Sequence, residues 1–177
     1  MTPRWAAVVL AAGAGSRFGG GKVRAPLAGR PLVAHVLAAA RAAGVARLVL
    51  VLGRDAAEVR AALFADEPAS LDGVLVAVNP APERGIASSL RLGLAAATAT
   101  PAPDGVLVLL GDQPRVRPAV VEAVAAAAAS AAEGAFAVAP AYAGDGAPNP
   151  VLVLPAGWGA AASLDGDRGL GPLLAAA

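Results

Sequence analysis

The sequence predicts an α/β fold whose mostly parallel sheet is covered by helices on both faces. Three observations lead there. Short Val- and Leu-rich runs alternate with stretches of helical length. Two of those runs, Leu48–Leu52 and Val106–Leu110, are apolar without interruption, as strands buried on both faces are. The apolar bulk is also small: 57% of the 177 residues are hydrophobic and only 3% aromatic, with alanine the commonest residue. Such a core suits helices laid closely on strands.

The first strand is read over Ala6–Ala11. Met1 to Gly15 also has the outline of a secretory signal, with an early arginine, an apolar run and small residues behind it. The strand is preferred because Arg17 and Lys22 follow the glycines at once. A helix over Pro31–Ala43 has its proline in the first turn and Gly44 just past its end. Then come a strand at Arg47–Leu52, a helix at Asp55–Leu63, a strand at Val74–Val78 and a helix at Gly85–Ala97. The series closes with a strand at Gly105–Leu110, a helix at Arg117–Glu133, and strands at Ala135–Ala139 and Pro150–Leu154. Within the last helix, Ala119–Ala132 is apolar, but it carries Glu122 and is shorter than the roughly 20 residues of a membrane span. No repeat or dividing linker interrupts the chain, so residues 1–177 are expected to form one domain. The cytoplasm is the default address, with no membrane partner.

Composition excludes several function classes. Lys plus Arg total 14 against 13 acids, a net charge of +1, without the basic excess of a nucleic-acid binder. The absence of cysteine rules out disulfides, thiolate metal sites and cysteine nucleophiles. The one histidine, His35, leaves no His-rich zinc site and reads as a packing residue of the first helix. Low hydrophobicity and high net charge are both missing, which argues against disorder.

In a parallel sheet ligands bind beyond the carboxyl ends of the strands, where strand order reverses. After the first strand stands Gly13-Ala14-Gly15-Ser16-Arg17-Phe18-Gly19-Gly20-Gly21-Lys22. Glycines let backbone N–H groups turn toward an anion, so the loop suggests phosphate. The dinucleotide pattern fails where Phe18 replaces glycine, and the P-loop pattern fails at Ser16 and Val23. Lys22 is the only lysine beside 13 arginines, which suggests a task for a compact ammonium between phosphate oxygens. Asp112, directly after a buried run, either binds Mg²⁺ or caps the helix near Arg117. Asp167 in Gly166-Asp167-Arg168-Gly169 is either a second carboxylate of the site or a turn residue. Asn79-Pro80 and Ser88-Ser89 either meet a nucleoside or cap a helix.

Taken together, these motifs resemble the molybdenum-cofactor nucleotidyltransferases, most of all their molybdopterin cytidylyltransferase branch, the MobA-like NTP transferases. The residues that carry the resemblance are Leu10-Ala11-Ala12-Gly13-x-Gly15-x-Arg17-x-Gly19-Gly20-x-Lys22 and Pro26-Leu27-x-Gly29-Arg30-Pro31-Leu32. Behind them, in the family's order, come Asn79-Pro80, Gly85 with Ser88-Ser89-Leu90-Arg91-x-Gly93, Gly111-Asp112-Gln113-Pro114, Asn149-Pro150-Val151-Leu152 and Gly166-Asp167-Arg168-Gly169.

The resemblance implies a Rossmann-like three-layer sandwich with one late antiparallel strand. It implies that Leu10, Ala11, Ala12 and Gly13 border the base, and that Gly15, Arg17 and Lys22 wrap the phosphates. Asn79, Gly85, Ser88 and Ser89 would help hold the nucleoside. Arg17, Lys22 and Asp112 would be catalytic, with Mg²⁺ on Asp112 and Asp167. The implied reaction moves CMP from CTP to a phosphorylated molybdopterin-type acceptor and releases pyrophosphate. A molybdoenzyme or its chaperone would be a further partner. An acceptor phosphate is already a nucleophile, so the protein need supply only alignment and charge neutralisation. Two alternatives stand beside this expectation: a GTP-dependent guanylyltransferase of the same fold, and a catalytically impaired nucleotide-binding protein. The broken dinucleotide pattern disfavours an NAD-dependent oxidoreductase. Relatives usually carry Arg or His near Asn149 and continue past Gly169 into an acidic segment, and both features bear on the acceptor more than on the loop.

Overall fold

The computed structural model describes residues 3–13, 15, 20–143 and 148–175. The chain runs through β1 (Trp5–Ala11), a small hairpin of β2 (Pro26–Leu27) and β3 (Arg30–Pro31), α1 (Leu32–Ala42), β4 (Arg47–Leu52) and α2 (Ala56–Asp66). It continues through β5 (Val74–Val78), α3 (Ile86–Ala97), β6 (Gly105–Leu110), α4 (Pro118–Ala129), β7 (Ala137–Val138), β8 (Val151–Val153), α5 (Trp158–Ala162) and α6 (Gly171–Ala175). Six strands form one sheet in the order β5-β4-β1-β6-β8-β7. β5, β4, β1 and β6 are mutually parallel, and β8 runs antiparallel to both of its neighbours. This is the Rossmann-like arrangement with a late antiparallel strand.

Alternation along β1 builds the two core layers. Ala7, Val9 and Ala11 face α1, α2 and α4, packing near Val33, Leu37, Leu63 and Val121. Ala6, Val8 and Leu10 face the other way, with Leu90 and Leu94 of α3 and Ala161 of α5. Each buried Val or Leu side chain contributes about 1.5–3 kcal/mol relative to exposure. Small residues set the spacing of the layers. A Cβ on Gly93 of α3 would lie 2.5 Å from Val8 Cγ1 and 3.0 Å from Val51 Cγ2, so α3 rests directly on the sheet.

The strands over Arg47–Leu52, Val74–Val78 and Gly105–Leu110 match the sequence reading residue for residue. The strand expected over Ala135–Ala139 shrinks to Ala137–Val138, because its partner β8 presents only three residues. α4 stops at Ala129, short of Glu133: its buried stripe, Val121, Val124 and Ala128, ends there, and Ser130 bonds back to Ala127. α2 runs three residues beyond Leu63, to Asp66.

That extension depends on Arg30. An acid in a helix's last turn opposes the helix dipole. Asp66 is neutralised by the Arg30 guanidinium, with Nη2 donating to Oδ2 at 2.9 Å and Nε to Oδ1 at 3.1 Å. The contact fastens the β2–β3 hairpin to α2. His35 holds the same hairpin from α1, its Nε2 donating to the Leu27 carbonyl at 2.9 Å, which is a packing role. The Arg30 hydrogen bonds hold the Asp66 carboxyl below the usual carboxylate range. A depressed carboxylate stabilises the fold above its unfolded value and loses that contribution as pH falls through its folded value. Asp66→Asn is therefore expected to lower the melting temperature at neutral pH. The gap to the parent protein should narrow steadily as melting curves are taken below the ordinary carboxylate range, and a gap independent of pH would contradict this role.

Candidate functional site

β1 feeds α1 on one face of the sheet, and β4, on one side of it, leads away from β6 on the other. The carboxyl ends of β1 and β6 thus form a switch point where loops diverge and leave a crevice. A cavity of about 260 Å³ lies there. Its floor is Leu10, Ala11 and Ala12, with Gly13, Gly15 and Lys22 from the first loop. Ile86 and Ser89 of α3, Leu110 at the end of β6, Asp112 just after it, and Asp167 before α6 complete the wall. Leu10–Gly13, Gly15, Lys22, Ser89, Asp112 and Asp167 therefore meet at one cavity. Arg17 lies outside the described residues.

The loop is pinned at both ends of its described part. The Gly20 N–H donates to the Gly15 carbonyl at 3.0 Å. Gly21, at φ 64°, opens a short 3-10 turn over Lys22–Arg24. Val23 is buried in the core beneath α1, so the backbone of Lys22 is held while its side chain reaches the cavity. Its Nζ donates to Asp112 Oδ2 at 2.6 Å. Asp112 is not the cap of α4: Arg117 stands at that position, Pro118 begins the helix, and no side chain caps it.

Asp167 reaches the cavity by an unusually close backbone contact. Gly85, at φ 91°, precedes α3, and a Cβ there would fall 2.2 Å from the Gly166 carbonyl carbon. The Ala87 N–H donates to Gly166 O at 3.1 Å, so the Gly166–Asp167 turn sits on the open end of α3. Behind it lies buried Asn79, whose Nδ2 donates to Ser88 Oγ at 2.8 Å and Ser89 Oγ at 2.9 Å, while Oδ1 accepts the Ala81 N–H at 2.9 Å. Ser88 in turn donates to Gly85 O at 2.8 Å. Of the nucleoside residues named from the sequence, Ser89 lines the cavity, whereas Asn79, Ser88 and Gly85 stand behind its wall. Asn79 positions Ser89 and the start of α3.

The donor set fits a hard divalent cation. Magnesium takes one or two carboxylates and completes its shell with phosphate oxygens and water. Asp112 already faces an ammonium at 2.6 Å, and Asp167 lines the same cavity. Among the described residues no cluster of three or more His, Cys, Asp or Glu forms a full cage. The reading of the sequence missed Ile86 and Leu110, apolar residues whose only signal is adjacency to Gly85 and Gly111. It also missed an adjoining apolar cavity of about 160 Å³, between Leu90, Val108, Val151 and Leu170, where Asn149 is the one polar side chain among the described residues. Beyond Ala12 a third crevice of about 410 Å³ holds Arg24, Arg54, Asp55 and Glu83, with Arg54 and Glu83 paired at 2.9 Å. No helix among the described residues is long and apolar enough to cross a membrane.

The Gly85 contact makes a direct expectation. Gly85→Ala must push the Gly166–Asp167 backbone away, costing about 1–3 kcal/mol of stability as other overpacked or strained sites do. Any function of Asp167 should fall with it, so Gly85→Ala and Asp167→Ala should be markedly non-additive in a double-mutant cycle on turnover. Additive effects would separate the two residues.

Residues 7–177 match the model of the MobA-like NTP transferase domain. The crystal structure of Rv0371c from Mycobacterium tuberculosis superposes with a TM-score of 0.81 at 34% identity, covering 99% of this chain and 84% of that one. A manganese complex of Rv0371c gives 0.78 at 31% identity over 97% and 82%. A nucleotidyl transferase from Methanothermobacter gives 0.74 at 28% identity over 97% and 80%. Among curated proteins, the bifunctional protein GlmU of Cupriavidus taiwanensis is 40% identical over 122 residues, 66% of this chain. The chain spans about a quarter of the length of that relative (24%). On the match over residues 7–177, the chain belongs to the MobA-like NTP transferase domain family, whose members are nucleotidyltransferases.

Proposed function

We propose that the protein transfers CMP from CTP to a phosphorylated molybdopterin-type acceptor and releases pyrophosphate. One observation carries the reading: the only lysine of the chain and carboxylates from two distant segments line one cavity at the sheet's switch point. In the reaction an acceptor phosphate oxygen attacks the α-phosphorus in line, a P–O bond forms, and the bond to the pyrophosphate leaving group breaks. No general base is needed, in keeping with a cavity lined by no histidine. Lys22 and the N–H groups of the glycine loop neutralise the leaving pyrophosphate, which is where charge grows in the transition state. Leu10–Gly13 border the base, Ser89 meets the nucleoside, and Gly15 lets the loop pass close to the phosphates. Arg17 would add a second cation from the same loop. Asp112 and Asp167 would hold Mg²⁺, which when bound supplies further charge neutralisation, and the manganese complex of Rv0371c supports a divalent ion here. The flat body of the acceptor would lie in the adjoining apolar cavity, with Asn149 at its polar edge.

A GTP-dependent guanylyltransferase is the second reading. It is favoured by the crevice beyond Ala12, where Asp55 and Glu83, paired with Arg24 at 3.8 Å and Arg54 at 2.9 Å, keep further acceptor lone pairs for the donor edge of a guanine.

Calorimetric titration with the four common nucleoside triphosphates in Mg²⁺ tests the proposal. CTP should bind most tightly; preference for GTP would favour the second reading, and no binding of any triphosphate would overturn both. Lys22→Ala should keep its fold and lose roughly 10²–10³ in turnover, the cost of removing one such electrostatic stabiliser. Lys22→Arg should be nearly as poor, because its broader head does not fit between phosphate oxygens. Asp167→Ala should lower turnover per folded molecule with little change in melting temperature; a drop in stability of about 1–2 kcal/mol with turnover intact would make Asp167 a turn residue only.

A further inference from the structure

We infer that Lys22 occupies the place of the divalent cation on Asp112, so that the metal binds there weakly until a triphosphate draws the lysine away. The inference rests on Asp112 being a metal ligand, as proposed above, and adds an exchange between two cations on one carboxylate. Nζ of Lys22 lies 2.6 Å from Asp112 Oδ2, the distance of a charge-assisted hydrogen bond, and this is the one ion pair that either residue makes among the described residues. A metal bound through that oxygen and the ammonium cannot both keep this position.

The way the lysine is held favours a side-chain exchange over a loop movement. Its backbone is fixed by left-handed Gly21 before it and by buried Val23 after it. The side chains of Lys22 and Asp112 are 43% and 33% exposed, so the ammonium has water to swing into and the carboxylate is open to an incoming ion. A dication arriving alone must displace the lysine and then sit beside a like charge, which costs affinity even in surroundings close to water. A triphosphate removes that cost by giving the ammonium several oxygen partners of its own. Metal and triphosphate then strengthen each other's binding by the same factor, since coupling between two ligands is reciprocal.

The exchange is measurable without turnover, by electron paramagnetic resonance of Mn²⁺ titrated into the full chain in the absence of nucleotide. Lys22→Met keeps the length of the side chain and removes its charge, and it is expected to bind Mn²⁺ about tenfold more tightly than the parent protein. Lys22→Arg keeps a cation beside Asp112 and should bind as weakly as the parent. Asp112→Asn should bind more weakly than either. Melting curves establish that all three variants are folded. Equal Mn²⁺ affinity in the parent and Lys22→Met, with Asp112→Asn still weaker, would overturn the exchange and leave Asp112 as a metal ligand. Equal affinity in all four proteins would overturn the exchange together with the metal reading beneath it.

Discussion

β1 has no free edge. Ala6–Ala11 pair with Arg47–Leu52 on one side, and Trp5–Leu10 pair with Gly105–Leu110 on the other. With both ladders filled, the chain beyond Ala11 has no strand to continue beside and must leave the sheet. The Leu10 carbonyl is taken by the Gly111 N–H at 2.8 Å, which ties the exit of β6 to the exit of β1. Glycine at 111 fits that approach, since a Cβ there would stand 3.0 Å from Ala11 Cβ. The loop of Lys22 and the turn of Asp112 therefore start from adjoining points, though 90 residues separate the two side chains.

α3 supplies the other half of the arrangement. Gly93 seats it against Val8 and Val51, which fixes its height above the sheet. Its first turn then becomes a platform: Ser89 and Ile86 face the cavity, and Gly85 receives the Gly166–Asp167 turn. Asn79 locks the platform to the end of β5, whose pairing continues in the 2.8 Å bond from the Asn79 N–H to Leu52 O. Four segments distant in sequence are thus brought to one place by two rigid elements. Such support from strands and a helix positions reacting groups more accurately than loops alone.

Much of this is legible in the sequence, and the illegible part has a physical pattern. Unbroken apolar runs such as Leu48–Leu52 mark buried strands to the residue, because they are too short to be helices of their own. Lys22 stands out as a lone lysine inside a glycine loop. Asn79 is different: an Asn and two Ser near a strand end look ready for a ligand, and only the fold reveals that Asn79 spends its amide on Ser88, Ser89 and Ala81. The ion pair of Lys22 with Asp112 is equally invisible in one dimension. The β2–β3 hairpin escapes because its strands have two residues each and its turn sets Ala28 at φ 51° before Gly29 at 81°, without the usual Asn-Gly or Asp-Gly. α5 and α6, five residues each, are too short to show a helical period.

Nucleotidyl transfer is the chemistry proposed for this switch-point cavity. Its most direct test is the exchange of labelled pyrophosphate into CTP, with Mg²⁺ and a molybdopterin-type acceptor present. The label should enter CTP only when acceptor and metal are both supplied, and it should not do so in Asp112→Asn. Binding of CTP or GTP with no exchange into either, acceptor and metal included, would exclude nucleotidyl transfer here and leave a nucleotide-binding protein without catalysis.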